Sequence, residues 1–259
     1  MEAQKPSKPT TEKVSNVRGI RNAFLVIVAC FIVCVLLFIF WFGHDMHFEE
    51  GHPIDIWGTI YKGGVIVPIL QTLFLTVIVL SVERWISLSS AKGKGNITKF
   101  VAAVKSCLAK KDINGAMALC DKQKVSVAAV VKSALIRYKE MDENTVLSKE
   151  QKIATLQKEV EEATALEMPA LQQNLPIVAT MTTLGTLVGL LGTVIGMIKS
   201  FQALAASGAP DALINPAFGI ATGAFAVISY NFYTNKIDNL TYAIDEIGFS
   251  IVQTFAATH

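Results

Sequence analysis

Charged residues are scarce in this chain. Asp, Glu, Lys and Arg together make up 17% of its 259 residues, whereas about 25% is typical of soluble domains. Hydrophobic residues make up 52% of the sequence, and the mean hydropathy is +0.45. The net charge of +2 is too small to indicate a nucleic-acid partner. This composition predicts an integral membrane protein in contact with lipid.

Sequence patterns for disulfides, metal ions and catalysis are also absent. Cys30 and Cys34 lie in an apolar run, and Cys107 and Cys120 lie in a segment that we expect in the cytoplasm, where thiols stay reduced. No CxxC, P-loop, GxSxG or HExxH motif occurs. We therefore expect a protein that is not an enzyme and that holds no cofactor and no metal ion.

Three histidines, His44, His47 and His52, lie in an acidic stretch, residues 44–63. A metal site built on these side chains is one interpretation, and it would make the protein a metal enzyme. The simpler interpretation is a solvated extracytoplasmic loop, and we favour it.

Four apolar stretches are each long enough to cross the hydrocarbon core of a bilayer, which is roughly 30 Å thick. These predicted spans are residues 23–43, 64–87, 177–200 and 212–233. The first is predicted to be a retained anchor, because no small-residue cleavage site follows it. The segments between them are a basic tail (1–22), a loop (44–63), a helical domain (88–176), a turn (201–211) and a C-terminal helix (234–259).

The distribution of Lys and Arg predicts the orientation. The basic tail and the helical domain are rich in Lys and Arg, whereas the loop 44–63 is acidic and the turn 201–211 has no basic residue. Because basic segments stay on the cytoplasmic side, both termini and the helical domain are predicted to be cytoplasmic. The fold class is therefore an all-α membrane protein whose helices extend from the membrane into the cytoplasm.

The helical domain contains two patterns with helical spacing. Residues 97–123 predict a helical hairpin that is broken at Asp112–Gly115. Residues 149–175 predict a long amphipathic helix that leads into the third span. Pro169 and Pro176 are predicted to kink this continuation without ending it.

The segment Leu184–Lys199 carries two stripes of small residues. One stripe consists of four glycines at spacings of four, three and four, namely Gly185, Gly189, Gly192 and Gly196. Such a stripe lets a neighbouring backbone approach closely, either within the subunit or between subunits. Thr186 and Thr193 form the second stripe, seven residues apart. Their hydroxyls either bond to their own helix or face a path through the membrane.

The four spans contain no acidic, basic or histidine side chain near mid-membrane. Glu83 and Arg84 lie together at the cytoplasmic end of the second span, and Asp211 lies at the outer entrance of the fourth, where it is either a pore residue or an N-cap. Because proton paths in membranes usually depend on acids, a proton-conducting role would require an acid from a partner.

The segment VGLLGTVIGMIKSF resembles the signature of the MotA/TolQ/ExbB proton-channel family, and ExbB is the subtype that it resembles most. CLAKKDINGAMALCDKQ resembles the cytoplasmic hairpin of that family, and ALINPAFGIATGAFAVISYNFY resembles its last span. The resemblance covers about residues 64–259, so the first span is additional to the three-span members.

The resemblance implies a homopentamer in a bacterial inner membrane around two copies of a single-span, ExbD-like protein that carries the proton-binding aspartate. It implies that the proton motive force drives a TonB-like protein and outer-membrane transport. Thr193 matches the pore-lining threonine of the family, and Asp211 lies where a glutamate is usual. Pro216 replaces the second pore threonine, which leaves Thr222 as the remaining hydroxyl and Thr186 as a further candidate.

Other functions are compatible with the same residues. The chain could be a TolQ-like subunit for envelope maintenance, a stator for surface motility, or a membrane scaffold that holds a partner without conducting ions.

Overall fold

The computed structural model describes residues 22–49, 52–92, 96–123, 126–204 and 214–258. Helices dominate, which confirms the predicted all-α class apart from one short hairpin. In chain order the elements are α1 (Ala23–Leu37), a π-helical turn (Phe38–Phe42), a 3-10 turn (Asp45–His47), β1 (Phe48–Glu49), β2 (His52–Pro53), α2 (Ile56–Lys62), α3 (Ile66–Lys92), α4 (Ile97–Ala109), α5 (Ile113–Gln123), α6 (Ser126–Glu143), α7 (Lys149–Leu171), α8 (Leu175–Leu204) and α9 (Ile214–Thr258).

Three helical stretches of the described chain are long and apolar enough to cross a membrane. They are Ala23–Phe42, Ile66–Ala91 and Leu175–Lys199, and they coincide with the first three predicted spans. The predicted boundary between a fourth span and a C-terminal helix, at residues 233 and 234, lies inside the continuous helix α9. No proline or glycine interrupts residues 224–247, so nothing in the sequence ends the helix there.

One compact unit, here called the membrane unit, comprises the described residues within 19–88 and 172–238. Its helices α1, α3, α8 and the first part of α9 pack around two apolar clusters. The first cluster consists of Ala23, Val77, Leu80, Val178, Met181 and Ala226. The second consists of Phe42, Ile60 and Val67, with Phe38 and Phe218 packed against them. Because Ala23 and Phe42 are at opposite ends of Ala23–Phe42, the two clusters lie at opposite ends of the first span.

The second unit comprises the described residues of 89–171 and 239–258. The predicted helical hairpin is confirmed as α4 and α5, and Asp112 caps α5 by accepting a hydrogen bond from the Gly115 amide at 2.8 Å. The predicted amphipathic helix corresponds to α7. The end of α9 packs in the core of this unit, where the rings of Tyr138 and Phe255 meet edge to face at 5.0 Å. Outside this core, Lys105 donates a hydrogen bond to Glu246 across 2.6 Å.

The predicted continuation of α7 into the third span was wrong. The helix ends at Leu171, two residues after Pro169, and α8 begins at Leu175. Between them Asn174 adopts a left-handed conformation with φ of 63°, which Asn tolerates better than most residues. Pro176 then lies in the first turn of α8, where its missing N–H costs no helical hydrogen bond.

Candidate proton-path site

The glycine stripe of α8 packs against α9 within the subunit. A Cβ atom placed on Gly219 of α9 would lie 2.5 Å from the carbonyl oxygen of Gly185 and 2.7 Å from the Cα atom of Gly189. A Cβ atom on Gly185 would lie 3.0 Å from the Cβ atom of Thr222. Contacts this close leave no room for side chains. The sequence left open whether the glycine stripe packs within the subunit or between subunits. In the structure Gly185 and Gly189 pack within the subunit.

The other two glycines of the stripe lie further along α8. Gly192 is buried and Gly196 is half-buried. The four glycines thus lie along one side of α8, as the spacing of four, three and four residues requires on a helix, and this side becomes less buried at Gly196.

The threonines of the candidate site do not share one environment. Thr222 is fully buried beside Gly185, and its hydroxyl donates to the carbonyl oxygen of Phe218 at 2.7 Å. Thr186 is exposed and Thr193 is half-buried. The structure therefore leaves Thr186 and Thr193 partly accessible, although a Cβ atom placed on Gly223 of α9 would lie 2.9 Å from the Thr186 hydroxyl, while Thr222 lies inside the subunit.

The hydroxyls on α8 also bond to their own helix. Thr186 donates to the carbonyl oxygen of Thr182 at 3.1 Å, and Thr193 donates to that of Leu190 at 2.5 Å. A hydroxyl that donates in this way keeps lone pairs that accept a hydrogen bond from water or from a protonated acid. The intrahelical bond and a role in a proton path are therefore compatible.

Glu83 and Arg84 form a buried ion pair in the membrane unit. Arg84 is fully buried, and its Nε and Nη2 atoms donate to the two carboxylate oxygens of Glu83 at 2.7 and 2.6 Å. The amide of Asn174 donates to the same carboxylate at 3.3 Å. A buried ion pair needs such additional hydrogen bonds to offset the loss of hydration. Asn174, in the break before α8, thus contributes a hydrogen bond to Glu83 of α3.

Sequence reasoning missed Asn174 and a second cationic contact close to this pair. The Nζ atom of Lys236 lies 4.1 Å from the ring centroid of Trp85 and 4.5 Å from that of Phe232. The two rings are stacked with centroids 5.7 Å apart. An Asn before a helical Pro is a detectable signal for a left-handed break, whereas the Lys236 contact joins residues 151 positions apart and leaves no local pattern.

The predicted pore-entrance residue, Asp211, and the altered family position, Pro216, differ in what the structure describes. Asp211 lies outside the described residues. Pro216 lies in the first turn of α9, which starts at Ile214, and a proline is tolerated there.

The three histidines have separate roles in the described part of the segment 44–63. His47 is buried, and its Nδ1 atom lies 2.6 Å from the carboxylate of Asp55. His44 accepts a hydrogen bond from the Met46 amide, and His52 is exposed on β2. Among the residues with described positions, no three His, Cys, Asp or Glu side chains form a group that could hold a metal ion.

Asp55 organises this segment. One carboxylate oxygen accepts from the Gly58 amide at 2.8 Å and caps α2, while the other contacts His47. The Gly58 hydrogen bond is the main reason that the pKa of Asp55 is lower than its ordinary value; desolvation opposes this shift, and His47 adds to it. The segment is therefore folded around the His47–Asp55 contact and a helix cap.

The geometry limits the chemistry of the membrane unit. The accessible threonine face of α8 offers hydroxyls, and the spans offer no acid or base near mid-membrane. Hydroxyls at this face can orient water or bond to an acid, but they do not change charge near neutral pH. The site can thus form one wall of a proton path and cannot carry protons alone.

A model of the MotA/TolQ/ExbB proton channel family matches residues 127–246. The match includes all of α8 and the part of α9 that packs against it. A comparison with curated proteins finds no match. The match and the three apolar helices make this chain a multi-pass membrane protein, and its residues 127–246 are similar to the MotA/TolQ/ExbB proton channel family.

Proposed function

We propose that this chain is the multi-span subunit of a proton-driven motor and catalyses no chemical reaction itself. Five copies surround two copies of an ExbD-like single-span protein in a bacterial inner membrane. The complex transfers the energy of the proton motive force to a TonB-like protein and so to outer-membrane transport. In this arrangement residues 212–233 form a fourth span, and both termini are cytoplasmic.

The division of α8 into two faces carries this proposal. Its glycine face is used inside the subunit, because Gly185 and Gly189 contact α9 directly. Its threonine face remains partly accessible at Thr186, whose hydroxyl also lies beside Gly223 of α9, and at the half-buried Thr193. A helix that only anchored the chain would need no hydroxyl stripe on its accessible side. The same face in neighbouring copies would surround a central helix with hydroxyls.

The absence of acids near the middle of the apolar spans supports a two-component channel. A group that binds and releases a proton is required at mid-membrane, and residues 177–198 and 212–233 contain none. An intramembrane aspartate on the partner helix would supply that group. Thr193 and Thr186 would hydrogen-bond to it or to the water beside it.

The test is proton flux into liposomes that contain the purified chain, with and without a single-span partner carrying one intramembrane aspartate. Flux is expected only when both proteins are present. Thr193→Ala is expected to reduce it by up to about tenfold, the effect of losing one hydrogen bond in the path. Thr180→Ala is the matched control, because Thr180 is also exposed on α8 and bonds to its own helix, at Pro176.

The control residue lies on a different side of the helix. Thr180 and Thr193 are thirteen positions apart, which is about 140° around an α-helix with 3.6 residues per turn. Equal flux in Thr193→Ala and the parent would contradict a pore role for this face. Partner binding without any proton flux would favour the scaffold instead. A TolQ-like subunit or a motility stator would conduct protons but would not restore TonB-dependent uptake in cells.

A further inference from the structure

The segment after the first span exposes large apolar side chains. Ile56 is 75% exposed, Val65 is 76% exposed and Ile54 is 60% exposed. Trp57, on the same short helix α2, is 46% exposed. Side chains of this size are rarely left together in water unless another apolar phase covers them. The expectation of a solvated loop therefore does not fit this part of residues 44–63.

Aromatic stacking fixes α2 at the end of the first span. The ring of Trp57 is stacked on Phe42 with centroids 5.3 Å apart and an interplanar angle of 7°. Tyr61 is stacked on Phe38 with centroids 4.8 Å apart. Both phenylalanines belong to the apolar stretch Ala23–Phe42. The exposed side of α2 is thus at the depth at which this span leaves the hydrocarbon core.

We propose that α2 lies in the interfacial layer of the bilayer, where lipid covers Ile54, Ile56, Trp57 and Val65. The proposal does not depend on proton conduction, since it follows from the membrane position of the first span. Amphipathic segments of this kind bury their apolar side about 5–10 Å into the boundary between headgroups and acyl chains.

Continuity with the lipid-facing surface of the first span identifies lipid as the cover. Phe40 and Trp41, in its last turn, are 71% and 54% exposed, and this surface can only face the bilayer or another membrane helix. Trp41, Trp57 and Tyr61 then form an aromatic group of the type found at membrane boundaries. The exposed Lys62 at the end of α2 can extend to lipid phosphates.

The hairpin β1–β2 carries exposed polar side chains instead of apolar ones. Glu49 pairs with His52 across it, and both side chains are exposed. A reporter in the hairpin and a reporter on α2 should therefore give opposite results with lipid-borne and water-borne quenchers.

The test uses tryptophan fluorescence of the full chain in vesicles of phosphatidylcholine and phosphatidylglycerol. Trp41→Phe and Trp85→Phe leave Trp57 as the only tryptophan, since the chain contains three. Nitroxide-labelled phosphatidylcholine carries the label either high or low on its acyl chain, and iodide is the quencher in water. The control combines these two changes with Trp57→Phe and His52→Trp.

Lipid labelled high on the chain is expected to quench Trp57 about twofold more than lipid labelled low, as burial at the interfacial depth requires. Iodide is expected to quench the His52→Trp control and to leave Trp57 largely unaffected. Quenching of Trp57 by iodide to the same extent as the control would overturn the proposal in favour of a solvated segment. Quenching by neither reagent would overturn it in favour of a cover made by protein, either a second copy or a partner.

Discussion

Replacing Gly219 with alanine would test the contact on which the membrane unit depends. The added Cβ atom would lie 2.5 Å from the carbonyl oxygen of Gly185 and 2.7 Å from the Cα atom of Gly189. Ordinary van der Waals contact begins at 3.4 Å, so the two helices must separate by 3.4 − 2.5 = 0.9 Å. Both opposing atoms are backbone, and no side-chain rotation can relieve the overlap.

The expected loss of stability follows from two opposing effects. Overpacking of a tight contact costs about 1–3 kcal/mol, whereas alanine is better than glycine within a helix by about 1 kcal/mol. Because both opposing atoms are backbone, the cost falls in the upper part of that range, about 2–3 kcal/mol, and we therefore expect Gly219→Ala to lower the free energy of unfolding by about 1–2 kcal/mol. For a chain of this size, that lowers Tm by about 2–8 °C.

Gly185→Ala, on the facing helix α8, is the comparison variant, because it introduces a smaller overlap at the same contact. Its Cβ atom would meet the Cβ atom of Thr222 at 3.0 Å and the carbonyl oxygen of Gly219 at 3.1 Å. The required separation is then 3.4 − 3.0 = 0.4 Å, so the gain in helix propensity should offset most of the cost. Its Tm is expected to lie close to that of the parent protein.

Thermal unfolding in detergent, followed by tryptophan fluorescence, measures both variants. Size-exclusion chromatography must first establish that they have the same assembly state as the parent protein, because subunit loss also lowers Tm. If Gly219→Ala were as stable as the parent, or more stable than Gly185→Ala, Gly219 would not be in close contact with the backbone of Gly185 and Gly189.

Two further predictions concern the segments that join the helices. Asn174→Gly keeps the left-handed conformation but removes the amide that donates to Glu83, whereas Asn174→Ala also adds about 1 kcal/mol of backbone strain. Tm should therefore be highest for the parent protein, lower for Asn174→Gly and lowest for Asn174→Ala. Equal Tm values for the two variants would exclude the strain. Because the folded-state pKa of Asp55 is lowered, its contribution to stability is present above about pH 4 and is lost as pH falls through that lowered pKa. Asp55→Asn should therefore lower Tm at neutral pH, and the Tm of this variant should fall less than that of the parent protein as the pH is lowered. Parallel curves of Tm against pH for the two proteins, from pH 3 to 7, would contradict this.

The sequence by itself determined the helical class, the first three spans and the hairpin α4–α5. These features follow from local properties, namely the length of apolar runs, the helical spacing of apolar residues and a turn at Asp112–Gly115. The spacing of the glycines also predicted a close helix contact. It could not identify the partner helix, because spacing describes one surface and not the surface that meets it.

The tertiary structure alone decided which side chains are buried by the contact between α8 and α9. Thr193 and Thr222 are both threonines in apolar helices, yet Thr222 is enclosed beside Gly185 and Thr193 remains accessible. The break at Asn174 depends likewise on a distant partner, since its amide contacts a carboxylate 91 positions earlier. Burial and long-range hydrogen bonds depend on how helices assemble, and this information is absent from any local stretch of sequence.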